Sequence, residues 1–505
     1  MRKLLAGCLY MLLIALCASA QSKDAKSDAA AQAPSLTIYN QFFAVVRQAV
    51  PLDLKAGVNH VVFSDITAHV EPESVQLRDA NGGLQVLEQN YRNDPISESL
   101  LLSLFEGKTI DFVRPDRTVV KGRIVRSGYV PHYDAYQRYG SQYAAAQMAR
   151  TSGGAGQPII EVDGRLQFSL PGQPHFPALG EDTILKPTLD WQLQAADSRR
   201  TVAELSYVSG GMGWHADYNV VAPENRDVAD ITGWVTLENQ SGKAFENARI
   251  RLMAGDVRKI QSTSAYDFAF KAEVSAGVVG EQVTERVFDE YHLYTLPRPT
   301  TLRDRETKQV EFLRATGVQA QRLYVYDGLR IEPQYQSWGM ESIRDSSSYG
   351  TRSNPKVWVM FEFKNSQQNH LGMPLPAGRV RFYRRDAGGQ LEFTGEDKID
   401  HTAKDETVRL YTGNAFDVVG ERRRTAFRSN SSERWADESF EITLRNHKTS
   451  PVEVRVVEHL YRWTNWDITQ KSQPFQKTDA QTIEFRVQVP PSGESKVAYT
   501  VHYSW

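Results

Sequence analysis

Apolar and polar positions alternate with a period of two along much of this chain, most cleanly in its last third. The pattern runs through Val357 to Phe363, Val380 to Phe382, Leu391 to Phe393, Phe440 to Leu444 and Val452 to Val456. It closes with Ile483, Phe485, Val487 and Val489, then Val497, Tyr499, Val501, Tyr503 and Trp505. Successive side chains of a strand point to opposite faces, so each run predicts a strand with one face in a core and the other in water. The turns Asp386-Ala387-Gly388-Gly389 and Pro490-Pro491-Ser492-Gly493 fall between such runs. Short one-sided strands joined by turns predict an antiparallel sandwich.

The middle of the chain repeats the pattern. Glu204 to Val257 reads as four strands separated by Ser209-Gly210-Gly211, Pro223-Glu224-Asn225 and Asn239-Gln240-Ser241-Gly242. Further back, Leu36 to Leu54, Val61 to Phe63 and Val75 to Leu77 predict a small β domain closed by the turn at Asp79 to Gly83. A short helix-like run at Leu100 precedes Gly107 to Val113 and Val119 to Val125, a strand pair of the kind found in small SH3-like barrels, with Pro158 to Val162 and Arg165 to Phe168 as its completion. Between them, 133–157 reads as a surface insertion with a helical stretch from Tyr136 to Arg150. The pattern lapses over 258–287 and again over Ser337 to Asn354, which reads as a mobile loop.

The expected fold class is all-β: antiparallel β-sandwich domains with a small SH3-like barrel module in the N-terminal half. The expected boundaries are a signal peptide at 1–20, a polar tether at 21–34, a β domain at 35–95, the barrel-like module at 96–180, a β domain at 181–315 and a C-terminal sandwich at 316–505.

Export follows from Arg2 and Lys3, the apolar run from Leu4 to Leu16 and the Ala18-Ser19-Ala20 cleavage pattern. Leu5-Ala6-Gly7-Cys8 also spells a lipoprotein-type box, but too few residues precede Cys8 for a charged and an apolar region. Both cysteines, Cys8 and Cys17, lie in the part removed, which leaves neither a disulfide nor a thiolate metal site. Loss of Arg2 and Lys3 takes the formal charge from −2 to −4, a mild value that gives no general nucleic-acid surface.

Several motifs, in order, carry a resemblance. They are Gly213-Trp214-His215-Ala216-Asp217-Tyr218, Leu252 to Val257, Tyr291 to Pro299, Gly372 to Phe382, Gly395 to His401 and Gly413 to Arg423. The chain from about Leu36 to Trp505 resembles the bacterial exported family that carries the domain of unknown function 4139, related more distantly to mucoidy-inhibitor-like proteins. The resemblance implies architecture and export, and assigns no catalytic or ligand residues.

Candidate chemistry is sparse. Leu102 to Thr109 has the tail of a phosphate loop, but it leads into a strand where that loop needs a helix. Neither a Gly-x-Ser-x-Gly elbow nor a His-Glu-x-x-His zinc motif is present. Among the 11 histidines, His215 with Asp217 and His401 with Asp400 and Asp397 are the tight pairings with carboxylates. Residues i and i+2 of a strand share a side, so His215 and Asp217 could open an acid/base pair or a metal site, although a metal needs at least three ligands. Arg379, Arg381, Arg384 and Arg385, with Arg422, Arg423 and Arg424, could line a face toward an anionic glycan, lipid or protein, or be balanced by Glu392, Glu396 and Asp397.

The expected binding residues are therefore His215, Asp217, Arg379, Arg381, Asp400 and His401, with no cofactor and no metal. The expected role is non-catalytic binding or scaffolding in the periplasm or envelope. Two alternatives stay open: a hydrolase of envelope polymers using the dispersed His and Asp residues, and an outer-membrane β-barrel suggested by the aromatic C-terminal strand.

Overall fold

The computed structural model describes residues 33–93, 97–129, 157–177, 186–223, 227–255, 257–259 and 283–505. The signal segment, nearly all of the tether, the helical stretch expected from Tyr136 to Arg150 and most of the 258–287 excursion lie outside the described residues. The described residues are overwhelmingly strand, and the all-β expectation holds. No helix among them is long and apolar enough to cross a membrane. The chain divides into two compact units, one of Met1–Trp214, Leu237–Val278 and Val287–Lys308, the other of His215–Thr236, Val279–Arg286 and Gln309–Trp505.

In the first unit, Ser35–Tyr39 pairs antiparallel with Phe43–Leu54, which pairs along its whole length with Arg199–Gly210. Leu36, Ile38, Val46, Val50, Leu205 and Leu252 face its core. Gly211 makes the turn out of Arg199–Gly210 at φ +79°, and a Cβ there would stand 2.9 Å from the Gln240 carbonyl oxygen. Only glycine accepts both that dihedral and that approach. A second sheet pairs Gly57–Phe63 and Leu84–Arg92 on either side of Thr188–Ala195.

The four strands assigned from sequence to the small module are joined at one edge by Gln173–His175, which the sequence did not single out, in a five-stranded sheet of order Gln173–His175, Thr109–Val113, Val119–Arg126, Ile159–Val162 and Arg165–Gln167. Its own core contains Leu102, Ile110, Phe112, Ile124 and Ile160. The helix before it, Glu98–Leu104, is capped by Ser97, whose Oγ accepts from the Leu100 N–H at 3.1 Å. Helix then strand is the reverse of a phosphate loop's order.

The second unit is built on a thirteen-stranded sheet. One run of neighbours is Leu391–Ile399, Gly378–Arg385 and Met212–Pro223. Another is Lys356–Lys364, Thr407–Asn430, Trp435–Asn446 and Gly493–Ser504. Thr407–Asn430 serves two partners, Lys356–Lys364 with its first half and Trp435–Asn446 with its second, and the register shifts in both ladders. Such bulges bend and twist a sheet. The sheet curls until Leu391–Ile399 lies against Thr407–Asn430: Asp397 Oδ2 accepts from the Tyr411 N–H at 2.6 Å, and a Cβ on Gly395 would fall 2.3 Å from the Thr412 carbonyl oxygen.

The sandwich core shows why the alternation is so clean. Trp435–Asn446 alternates between buried and half-buried without a break. Gly493–Ser504 buries Val497, Tyr499, Val501 and Tyr503, with no more than 2% of any of them exposed. These pack with Phe440, Ile442, Leu444, Val454, Val456, Phe485 and Val487. The apolar side of the last strand therefore faces a protein core, whereas a lipid-facing strand would turn it outward.

Candidate functional site

Period-two geometry sorts the candidate residues before any contact is considered. Met212–Pro223 and Gly378–Arg385 pair in parallel, with Asp217 opposite Arg379, Val220 opposite Phe382 and Ala222 opposite Arg384. Tyr218, Val220, Val380 and Phe382 are buried, so Arg384 continues the inward face, while His215, Asp217, Arg379 and Arg381 share the outward one.

On the outward face a polar cluster forms around Asp217. Its Oδ2 lies 3.2 Å from His215 Nε2 and accepts from the Thr236 hydroxyl at 3.1 Å, and its Oδ1 accepts from Arg381 Nη1 at 3.4 Å. Burial pushes the Asp217 carboxyl up, but His215, Arg381 and Thr236 outweigh it and hold it below the usual carboxylate range. Arg381 also reaches Glu396 at 3.9 Å, and Arg379 is exposed.

Asp400 and His401 stand just past the end of Leu391–Ile399, where both are exposed and His401 Nδ1 accepts from the Ala377 N–H at 3.1 Å. Among the described residues, no three or more His, Cys, Asp or Glu side chains are placed to hold a metal ion. The two His/Asp pairs therefore do not merge into a metal centre.

The arginines of the second motif go elsewhere. Arg422 is buried, its Nε donating to both oxygens of Glu458 at 3.0 and 2.9 Å and its Nη1 to the Gly350 carbonyl at 2.8 Å. The Tyr499 hydroxyl donates to the same Glu458 at 2.5 Å, and the Arg422 guanidinium lies 3.8 Å from the Phe440 ring centre. Alongside, Glu438 accepts from Arg462 at 2.7 Å and from Arg424 at 3.2 Å. Arg423 pairs with Glu441 at 2.9 Å. Glu458, Glu438 and Glu441 thus neutralise this group, where the sequence offered Glu392, Glu396 and Asp397.

This cluster also holds the segment expected to be a mobile loop. Arg462 donates to the carbonyls of Ile343 and Arg344 at 2.5 and 3.1 Å, and Arg424 to that of Ser347. The rings of Tyr335, Trp338, Tyr349 and Tyr461 pack in succession beside it. The packing of that segment is specified by side chains far along the chain.

A cavity of about 290 Å³ opens among the inward faces of the curled sheet. Phe361 and Phe382 form part of its apolar wall, Thr394 and Asn414 contribute polar groups, and Arg322 and Arg384 bring two positive charges. Among the described residues neither arginine has an ion-pair partner. Arg384 donates from Nη1 to the Pro223 carbonyl at 2.9 Å. Burial lowers its pKa from the usual guanidinium value, and the like charge of Arg322 lowers it further. Nearby, the Tyr324 hydroxyl accepts from Lys448 Nζ at 2.8 Å and also meets Arg322. Burial raises the Tyr324 pKa, but these two cations override burial and bring it below its usual value.

Sequence reasoning found Arg384 but missed Arg322. Its signal was parity, since Arg322 shares a face with the buried Tyr324 and Tyr326. The first unit has a larger cavity, of about 590 Å³, beside Glu238, Asp304 and Glu306. There Glu306 pairs with Lys308 at 3.1 Å and Asp304 with Arg305 at 3.6 Å.

No curated protein and no solved structure matches the chain. The model of one family, the domain of unknown function DUF4139, matches residues 203–505, which takes in the Asp217 cluster, the buried arginines and the cationic cavity. By that match over more than half of its length, the chain belongs to the DUF4139 family.

Proposed function

We propose that this is an exported, non-catalytic β protein that binds a ligand of the cell envelope through its DUF4139 domain. The observation that carries the reading is the open cavity inside the curled sheet, where apolar walls meet a few convergent polar groups, the usual composition of a small-molecule site. Export rests on Arg2, Lys3, the Leu4 to Leu16 run and the Ala18-Ser19-Ala20 pattern. The other prominent charged groups of the domain, around Asp217 and around Glu458, are engaged with one another in ion pairs.

The test is retention. The chain lacking residues 1–20 is immobilised and exposed to separated envelope glycan and lipid fractions. The expected result is saturable retention of one fraction, released by the same component free in solution. Failure to retain either fraction contradicts the reading.

A further inference from the structure

We infer that the cavity binds the oxyanion group of a small ligand, a phosphate or a carboxylate, between Arg322 and Arg384. This rests on the binding reading above and deepens it. By strand parity both arginines lie on the cavity side: Arg384, half-buried, shares a face with Val380 and Phe382 along Gly378–Arg385, and Arg322, exposed, shares one with Tyr324 and Tyr326 along Glu306–Asp327. An inward position in a sheet normally carries an apolar side chain, because burying a charge without a partner is costly. The half-buried Arg384 carries part of that cost, and the like charge of Arg322 adds to it.

Among the described residues, no carboxylate forms an ion pair with either arginine. Glu392, opposite Arg384 across the strand pair, forms no ion pair with it, and Asp227 acts on it only at longer range. Lys448, at the Tyr324 hydroxyl, adds a third positive group. A pair of planar guanidinium forks matches the geometry of phosphate or carboxylate, which can accept two parallel hydrogen bonds from each. Arg384 has donors to spare, since among the described residues Pro223 takes only one hydrogen bond, from Nη1. Phe361 and Phe382 would then pack the ligand's uncharged part, their ring centres 5.6 Å apart.

The experiment is calorimetric titration of the chain lacking residues 1–20, at low ionic strength, with inorganic phosphate, with glucuronate and with glucose as neutral control. The expected result is one saturable site for at least one of the two anions and none for glucose. Binding should weaken at least tenfold in Arg384→Met and in Arg322→Met, with partial recovery in Arg384→Lys. A response to phosphate alone assigns a phosphoryl ligand, one to glucuronate alone assigns a carboxylate, and responses to both assign a general oxyanion site.

Should Arg384→Met fail to fold, the exposed Arg322→Gln carries the same comparison. The inference is overturned if neither anion binds, if glucose binds as tightly as the anions, or if folded variants bind like the parent. Retention of an envelope fraction alongside any of these results would leave the binding reading standing and remove only this one.

Discussion

Two groups of arginines in the same domain have opposite surroundings. Arg422, Arg424 and Arg462 are buried or nearly so, and each meets a carboxylate, Glu458 or Glu438, together with main-chain carbonyls from 343–350. Arg322 and Arg384 line an open cavity and meet no carboxylate in an ion pair among the described residues. Charges taken out of water persist when they are paired and hydrogen-bonded. The first group satisfies that condition within the chain and stabilises the fold. The second has no such carboxylate among the described residues, and Arg384 is half-buried at a cavity with donors to spare.

The largest expected effect breaks the paired group. Glu458→Gln leaves Arg422 buried beside a neutral amide, and losing one member of a buried pair costs about 3–5 kcal/mol. Thermal unfolding followed by circular dichroism should show a drop of several degrees in apparent Tm. Replacing both partners, Arg422→Met with Glu458→Leu, should recover most of that loss, because apolar groups of similar volume often substitute for a buried pair at little cost. A double variant as unstable as the single one would show that the main-chain bond to Gly350 matters more than the ion pair.

The outward cluster should give an intermediate effect. Asp217→Asn removes a carboxylate that accepts from Thr236 and Arg381, and hydrogen bonds to charged groups contribute about 1.5–3 kcal/mol. Because the folded pKa of Asp217 is lowered, its contribution is present above the ordinary value of 3.8 and is lost as pH falls through the folded value. The acid limb of a stability profile should therefore flatten in Asp217→Asn.

Arg384→Met should sit near zero or slightly on the stabilising side without ligand, since it removes a partly buried charge facing another of the same sign. A loss as large as that of Glu458→Gln would place Arg384 with the structural arginines and erase the distinction.

A small, pH-dependent effect is expected where His459 Nε2 stands 2.9 Å from Asp327 Oδ2. That bond raises the histidine's pKa above 6.5 despite burial. Its contribution is therefore complete below pH 6.5 and disappears as pH rises through the folded value. Unfolding between mildly acidic and mildly alkaline pH should show a shallow decline, absent in Asp327→Asn.

Much of the fold was legible because a strand writes its two faces into alternate residues. Val497, Tyr499, Val501 and Tyr503 announced a core-facing strand and occupy one. The same rule separates Arg384 from Arg379 and Arg381, and would have singled out Arg322 beside Tyr324. What parity cannot show is which distant groups meet. Glu458 lies 36 residues from Arg422, and Gly350 lies 72 away. The Ser-rich 337–354 segment carries no period of its own, because its packing comes from Arg424, Tyr461 and Arg462. The pairing of His215 with Asp217 was local and visible, whereas the contacts of Asp217 with Thr236 and Arg381 required the sheet to form.

The distinction between structural and ligand-seeking arginines reduces to one set of melting curves. Apparent Tm is measured at constant ionic strength, with and without phosphate or glucuronate, for the parent chain, Glu458→Gln and Arg384→Met. A ligand that binds only the folded state raises its melting temperature by mass action. The account predicts a lower baseline for Glu458→Gln with the anion-dependent rise intact, and an unchanged or higher baseline for Arg384→Met with the rise abolished. Equal anion-dependent rises in the parent and Arg384→Met would contradict it.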